Sequence, residues 1–150
     1  MTMDTTTAQI GDILCLISNA SEKAVIITGA ASGIGRVLPI KLAKLGAKVI
    51  VGIRGHARAE KVAVQIQHEA KVSAGRIVGY NLDLSDLSAV KRFADQIIKN
   101  EQRVDILLNN AATFRKVHLL TTDSFEIQFG INRGITAYFL HPDTIYRTIP

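Results

Sequence analysis

The chain has 150 residues, 47% hydrophobic and 21% charged, the composition of a folded domain rather than a disordered segment. No run approaches the ~18 consecutive apolar residues of a membrane-spanning helix, and the apolar run 13–17 is too short for a secretory leader. A single cysteine, Cys15, cannot form an internal disulfide, and one Cys with four scattered His offers no ligand spacing; a cytoplasmic protein without a metal is expected.

Residues 1–22 read as a polar arm with no Lys or Arg. "AVIITG" then reads as a short buried strand ending at Thr28. The glycine loop "TGAASGIG" (28–35) follows, and a helix starts near Ile34 with Ile34, Leu38, Leu42 and Leu45 on one face and Gly46 at its C-terminal cap. Pro39 stands inside this helix, where it removes a hydrogen bond and crowds a preceding carbonyl. "KVIVGI" is a second strand, and Ala59, Val62, Ala63, Ile66 and Ala70 form the apolar stripe of a second helix. "RIVGYNL" is a third strand. Ser85 is the expected N-cap of a third helix to about Asn100, with Leu87, Val90, Ala94, Ile97 and Ile98 facing inward. "VDILLNN" is a fourth strand.

Strands alternating with helices imply a parallel sheet covered on both faces, because parallel neighbours need long crossovers. The expected fold is an α/β, Rossmann-like, doubly wound sheet, incomplete at about four strands. Such sheets bind ligands at the carboxyl ends of their strands, near a switch in strand order. In the glycine loop, Gly29 would permit a tight turn, Gly33 would let a pyrophosphate reach the backbone, and Gly35 would let the helix pack on the strand. The following helix N-terminus offers free N–H groups to phosphate.

The charge of +5 is uneven. Residues 36–76 hold nine basic groups against Glu60 and Glu69. Either this is a solvated helix surface, or it is a positive field that attracts a polyanion. Nucleic acid is not expected, because the stretch has no Phe, Tyr or Trp to stack on bases.

The spacing Thr-Gly-x-x-x-Gly-x-Gly, followed in order by "LDLS" (82–85) and "LLNNAA" (107–112), resembles the short-chain dehydrogenase/reductases. "VDILLNNAATF" and "TTDSFEIQFGIN" are most similar to their retinol-dehydrogenase-like subgroup. The resemblance implies an NAD(P)-binding domain over 23–132, with a divergent tail over 133–150. It implies cofactor contacts from Thr28, Gly29, Ser32, Gly33, Ile34 and Gly35. Asp83 would hold the adenine amino group with the Leu84 backbone beside it; the alternative is an acid that favours a helix dipole. Asn110, Ala111 and Ala112 would lie along the ribose and nicotinamide, with Ala112 where the family usually has Gly. Asn109 is expected to tie strands together instead.

An acid about 20 positions beyond the glycines would bind the ribose hydroxyls of NAD. At the end of the second strand stands Arg54, which favours the 2′-phosphate of NADP, with Arg58 and His56 as helpers. Catalysis in the family uses an Asn, a Ser and a Tyr-x-x-x-Lys pair, as the resemblance implies. Asn132 matches the Asn, but no Tyr-x-x-x-Lys occurs: Tyr80, Tyr138 and Tyr146 are followed four residues on by Leu84, Pro142 and Pro150. From residue 133 the chain departs from the pattern, and the family's continuing helix is not expected there.

The expectation is therefore the NADP-binding portion of a truncated enzyme, inactive by itself. Its parent reaction would be hydride transfer between an alcohol and a carbonyl, on a retinoid, steroid or other lipid-like substrate. The alternatives are a non-catalytic binding or interaction protein that holds a dinucleotide or pairs with a full-length relative or a second copy of itself, and an unstable fragment.

Overall fold

The computed structural model describes residues 20–139. The expected arm as far as Asn19, Cys15 within it, and the chain from Leu140 lie outside the described residues. Four strands form one sheet: β1 (Ala24–Thr28), β2 (Lys48–Ile53), β3 (Ile77–Asn81) and β4 (Ile106–Leu108). Four helices accompany them: α1 (Ile34–Lys44), α2 (His56–Ala70), α3 (Leu87–Asn100) and α4 (Ile127–Phe139).

The strand order is β3-β2-β1-β4, and every pairing is parallel. The chain builds outward from β1 to β3, then crosses back to place β4 on the free side of β1. That reversal moves the covering helices to opposite faces, as right-handed crossovers require. Alternate residues of β1 show it directly. Val25 and Ile27 join Leu42, Ala43, Ala59, Val62 and Ile66 of α1 and α2 in one core, while Ile26 joins Val90, Phe93, Ala94 and Ile97 of α3 in the other. The period of two along a strand thus serves two separate cores.

The stripe expected on α2 is the observed buried set, Ala59, Val62, Ala63, Ile66 and Ala70. On α1, Leu42 is buried, but Leu45 is the helix's last cap and lies 44% exposed. Gly46 follows in the left-handed region, with its N–H on the Ala43 carbonyl. Pro39 does not end α1. Its ring is buried, and the helix runs on to Lys44.

Two local expectations are corrected. The N-cap of α3 is Asp86, not Ser85: its carboxylate accepts from the N–H groups of Ser88 (2.8 Å) and Ala89 (3.2 Å). Hydrogen bonding from Ser88 is the first cause holding that carboxyl below its ordinary range. Ser85 instead closes a turn on Asp83. The second correction concerns the stretch after Asn132, where α4 continues as a helix to Phe139. Leu87 and Ile98 are only partly buried, and Phe93, on the same side as Ala89 and Ala94, is the centre of the α3 face.

The sheet's far end is fixed by charge. Glu101, just past α3, has a buried side chain paired with Lys48 of β2 at 2.5 Å. Tyr80 packs edge-on against Phe93, with ring centroids 6.4 Å apart. Burial, then the Glu101 charge, pushes its phenol pKa upward.

Phe93 is fully buried. Replacing it with Ala is expected to cost about 3–5 kcal/mol, read as a lower denaturation midpoint at unchanged slope. Ile98→Ala, at the rim of the same core, should cost clearly less.

Candidate functional site: the cleft at the switch in strand order

β1 and β4 end side by side, and three polar contacts hold their ends together. Thr28, wholly buried, accepts the Ala111 N–H on Oγ1 (3.0 Å). The Asn110 amide donates to the carbonyls of Thr28 (3.0 Å) and Gly29 (3.3 Å). Asn110's amide thus ties these two strands, and Asn109 beside it, though exposed, is also engaged. The Thr28 side chain is sealed inside, and its part in the site is to place Ala111. On the β2 side, the Gly29 N–H reaches the Gly52 carbonyl at 3.4 Å.

The three loop glycines answer to different demands. Gly29 has φ +69°, and a Cβ on it would lie 2.7 Å from the Ala111 Cα. Gly35 has no room either, since a Cβ would strike the Asn110 amide and the Gly29 carbonyl. Gly33 differs. Its φ of 58° and ψ of −143° suit glycine almost alone, yet a Cβ there would meet nothing within 4 Å. The bare backbone at Gly33 therefore faces open space, and α1 starts behind it with no side-chain cap. Ser32 and Gly33 are both exposed; the side chain of Ile34 lies outside the described set.

An open cleft of about 350 Å³ runs across these strand ends. Gly29 and Ala31 form its floor on the glycine-loop side, and Arg54 and Arg58 line it beyond β2. Asp83, Leu84 and Ser85 line it beyond β3, and Ala111, Ala112 and Thr113 beyond β4. The Arg54 turn is anchored by the Gly55 N–H, which donates to the Asn81 Oδ1 at 2.7 Å. Neither Arg54 nor Arg58 has a hydrogen bond or ion pair among the described residues, whereas His56 points away to Glu60, at 3.5 Å. Asp83 takes the Ser85 N–H (2.9 Å) and hydroxyl (2.6 Å) on one oxygen, Oδ1. Its local role is that turn, and the helix-end role belongs to Asp86.

The last wall comes from residues with no pattern in the sequence. Arg115, Ile127 and Ile131 line the cleft from the loop after β4 and from α4. Their placement depends on a short turn: the Thr122 N–H meets the Ser85 carbonyl at 2.9 Å, and Asp123 accepts the Leu87 N–H at 2.8 Å. Glu126 then receives the Gln128 and Phe129 amides at the start of α4, and those bonds lower its carboxyl pKa, Gln128 first. Asn132 stands outside the lining. Both ends of its amide grip Thr113, accepting its N–H at 2.8 Å and donating to its carbonyl at 3.2 Å. Asn132 thereby fixes the backbone that forms the β4 side of the cleft. Among the described residues no cluster of His, Cys, Asp or Glu could hold a metal, and no helix is long and apolar enough to cross a membrane.

The short chain dehydrogenase family matches residues 23–149. Among curated proteins, human retinol dehydrogenase 14 is 40% identical over 121 residues, a match covering 73% of this chain and 36% of that relative. Mouse retinol dehydrogenase 13 is 44% identical over 110 residues, covering 73% of this chain and 32% of that one. The chain thus spans about a third of the length of these curated relatives. Among solved structures, an alcohol dehydrogenase of Thermococcus sibiricus complexed with 5-hydroxy-NADP superposes with a TM-score of 0.59 at 28% identity, covering 75% of this chain and 47% of its own. A metagenomic short-chain oxidoreductase in complex with NADP gives 0.53 at 31% identity, covering 63% and 41%.

The glycine geometry separates two variants. Gly33→Ala should incur only backbone strain, about 1–3 kcal/mol, because its Cβ has space. Gly29→Ala incurs the same kind of strain and also drives its Cβ into Ala111. Its denaturation midpoint should fall clearly below that of Gly33→Ala.

Proposed function

Because this chain belongs to the short-chain dehydrogenase family, we propose that its cleft holds NADP(H) in preference to NAD(H). The observation that carries this reading is the pair Arg54 and Arg58 in the cleft beyond β2, free of acidic partners among the described residues. A guanidinium there pairs with a 2′-phosphate that a carboxylate would repel. The residues suit such a ligand: Gly33 leaves an open face against the bare start of α1, where a pyrophosphate fits. The unused oxygen of Asp83 and the Leu84 backbone would take the adenine. Ala111 and Ala112 would leave room for the ribose and nicotinamide, on a backbone set by Thr28 and Asn110. The complexes of the two solved relatives with NADP and 5-hydroxy-NADP support the same choice.

When bound, the nicotinamide supplies or accepts a hydride. The parent reaction is hydride transfer between an alcohol and a carbonyl on a retinoid, steroid or similar lipid-like substrate, and the likeness to retinol dehydrogenases supports it. Such chemistry needs an acid aimed at the developing alkoxide. The 150 residues contain Asn132 but no Tyr-x-x-x-Lys. As this chain alone, the protein binds without turnover. A cytosolic setting is part of the same reading.

In fluorescence titrations NADPH should bind about tenfold or more tightly than NADH, and Arg54→Ala should remove most of that difference. Gly33→Val should abolish binding of both. Incubated with NADPH and retinal, the chain should show no loss of reduced-nicotinamide absorbance above background. Equal titration curves for the two cofactors would refute the assignment of Arg54, and turnover lost in Gly33→Val would refute the inactivity.

One observation favours a second reading, a non-catalytic module that pairs with a full-length relative or a second copy. Of the nine exposed large apolar side chains among the described residues, six (Phe114, Val117, Leu119, Leu120, Phe125 and Phe129) fall in one stretch after β4. Exposed apolar surface gathered in this way marks an interaction site. Light scattering coupled to gel filtration should then give a mass above 16.3 kDa that falls with Phe125→Ser/Phe129→Ser. A monomer at every concentration, with no complex formed on adding a full-length relative, would exclude this reading.

A further inference from the structure

The basic stretch 36–76 is used only in part by the cleft, which takes Arg54 and Arg58. Of the remainder, Lys48 pairs with Glu101 and Arg76 donates to the Gly46 carbonyl at 2.8 Å, while Arg36, Lys41, Lys44, Lys61 and Lys71 belong to the layer formed by α1 and α2. Val37, Lys41 and Lys44 recur at four and three residues along α1, and Lys61, Val64, His68 and Lys71 recur at three, four and three along α2 and its cap. Such spacing keeps each set on one side of its helix. All seven are exposed.

The layer carries two acids, and one of them is paired with an arginine. Glu69 is held by Arg36 across the two helices at 2.6 Å, and Glu60 faces His56. Lys41, Lys44, Lys61 and Lys71 have no ion pair or hydrogen bond among the described residues. The opposite layer is built differently: on α3, Lys91 pairs with Asp95 at 3.0 Å and Arg92 with Asp86 at 3.3 Å. The dipole at the end of α1 favours Lys41 and Lys44 there. It does not account for Lys61 in the second turn of α2, or for Val37 and Val64 standing 48% and 65% exposed among the lysines.

We propose that the outer face of α1 and α2 docks on an anionic lipid surface. Four unneutralised ammonium groups on one face complement lipid phosphates and carboxylates, and each retains the compact, mobile charge that a fluid headgroup layer accommodates. Val37, Val64 and the adjoining Leu45 enter the headgroup boundary between them. Nucleic acid fits this face less well, because it bears no Phe, Tyr or Trp for stacking and uses aliphatic side chains where backbone-binding surfaces use polar ones. The cleft lies at the carboxyl ends of the strands, so docking leaves its other walls open. The proposal does not depend on the cofactor reading.

Co-sedimentation of the full chain with phosphatidylcholine vesicles containing about one-third phosphatidylserine tests it, pure phosphatidylcholine serving as the control. Partitioning should favour the anionic vesicles at least about tenfold and vanish near 1 M salt, where screening reaches only about 3 Å. Each basic group near such a surface is worth about fivefold, so Lys41→Gln/Lys44→Gln and Lys61→Gln/Lys71→Gln should each weaken binding by about thirtyfold. Thermal unfolding of each pair shows whether the fold is retained, and the two pairs serve as independent variants if one fails to fold. Val37→Ser/Val64→Ser should weaken binding on anionic vesicles by a smaller factor. Equal partitioning on both vesicle types would overturn the proposal. So would folded double variants that bind as tightly as the parent chain, or tighter retention on duplex DNA than on vesicles.

Discussion

Everything at the cleft depends on how the ends of β1 and β4 are joined. Thr28 is the hub: its hydroxyl holds Ala111 and its carbonyl takes the Asn110 amide. Gly35 has to be bare because that amide and the Gly29 carbonyl occupy the space of its Cβ, and Gly29 has to be bare because Ala111 crosses in front of it. One set of hydrogen bonds therefore dictates two of the three loop glycines. The third, Gly33, is constrained by its dihedral angles and by nothing that it touches. Gly75, in the turn before β3, has the same empty surroundings at φ +79°, so what distinguishes Gly33 is its place at the start of α1.

The same junction explains why the cleft is positive on one side. β2 and β3 end next to β1 on the side opposite β4, so the Arg54 turn and the Asp83 turn are brought to a common rim. Asn81 fixes the first and Ser85 the second. Neither anchor reaches the arginines: Asn81 bonds a backbone N–H, and Ser85 takes one oxygen of the Asp83 carboxylate. Arg54 and Arg58 are left charged and exposed, which would be wasteful at a purely structural rim. The lysines of the outer α1–α2 face share this lack of counter-charge, but they differ in having apolar side chains interspersed. The two proposals assign these two positive regions different anions.

Most of the fold was legible in the sequence. Short apolar runs and helical stripes are set by burial, and burial follows periodicity; the α2 stripe was read residue for residue. What escaped was decided by contacts distant in sequence or by competition between neighbours. Ser85 and Asp86 both make good caps, and Asp83 decided between them by engaging Ser85. Pro39 reads as a breaker, but α1 is held by its packing on the sheet, and a single missing hydrogen bond does not end it. Asn109 and Asn110 cannot be told apart by type; the position of Thr28 across the sheet gives Asn110 a tying contact of its own. Arg115, Ile127 and Ile131 had no signal, because their place in the cleft is made by the Thr122 and Asp123 contacts to the start of α3.

Asn132 shows how far a matched motif carries. As a letter in the sequence it stands for chemistry. In the structure its amide is committed at both ends to the backbone of Thr113, so it acts first by holding the β4 wall in place. A residue in that position can serve a reaction only through what it orients, and the group it would orient must come from elsewhere. Within these 150 residues the positions proposed to hold a cofactor lie on β1 to β4 and their loops, all preceding α4. Binding and proton transfer are thus divided along the chain. A dinucleotide needs only the first four strand ends, while proton transfer needs side chains placed opposite them. On the proposed reading the described residues meet the first requirement and leave Ala111, Ala112 and Thr113 as the surface against which the second would have to be built.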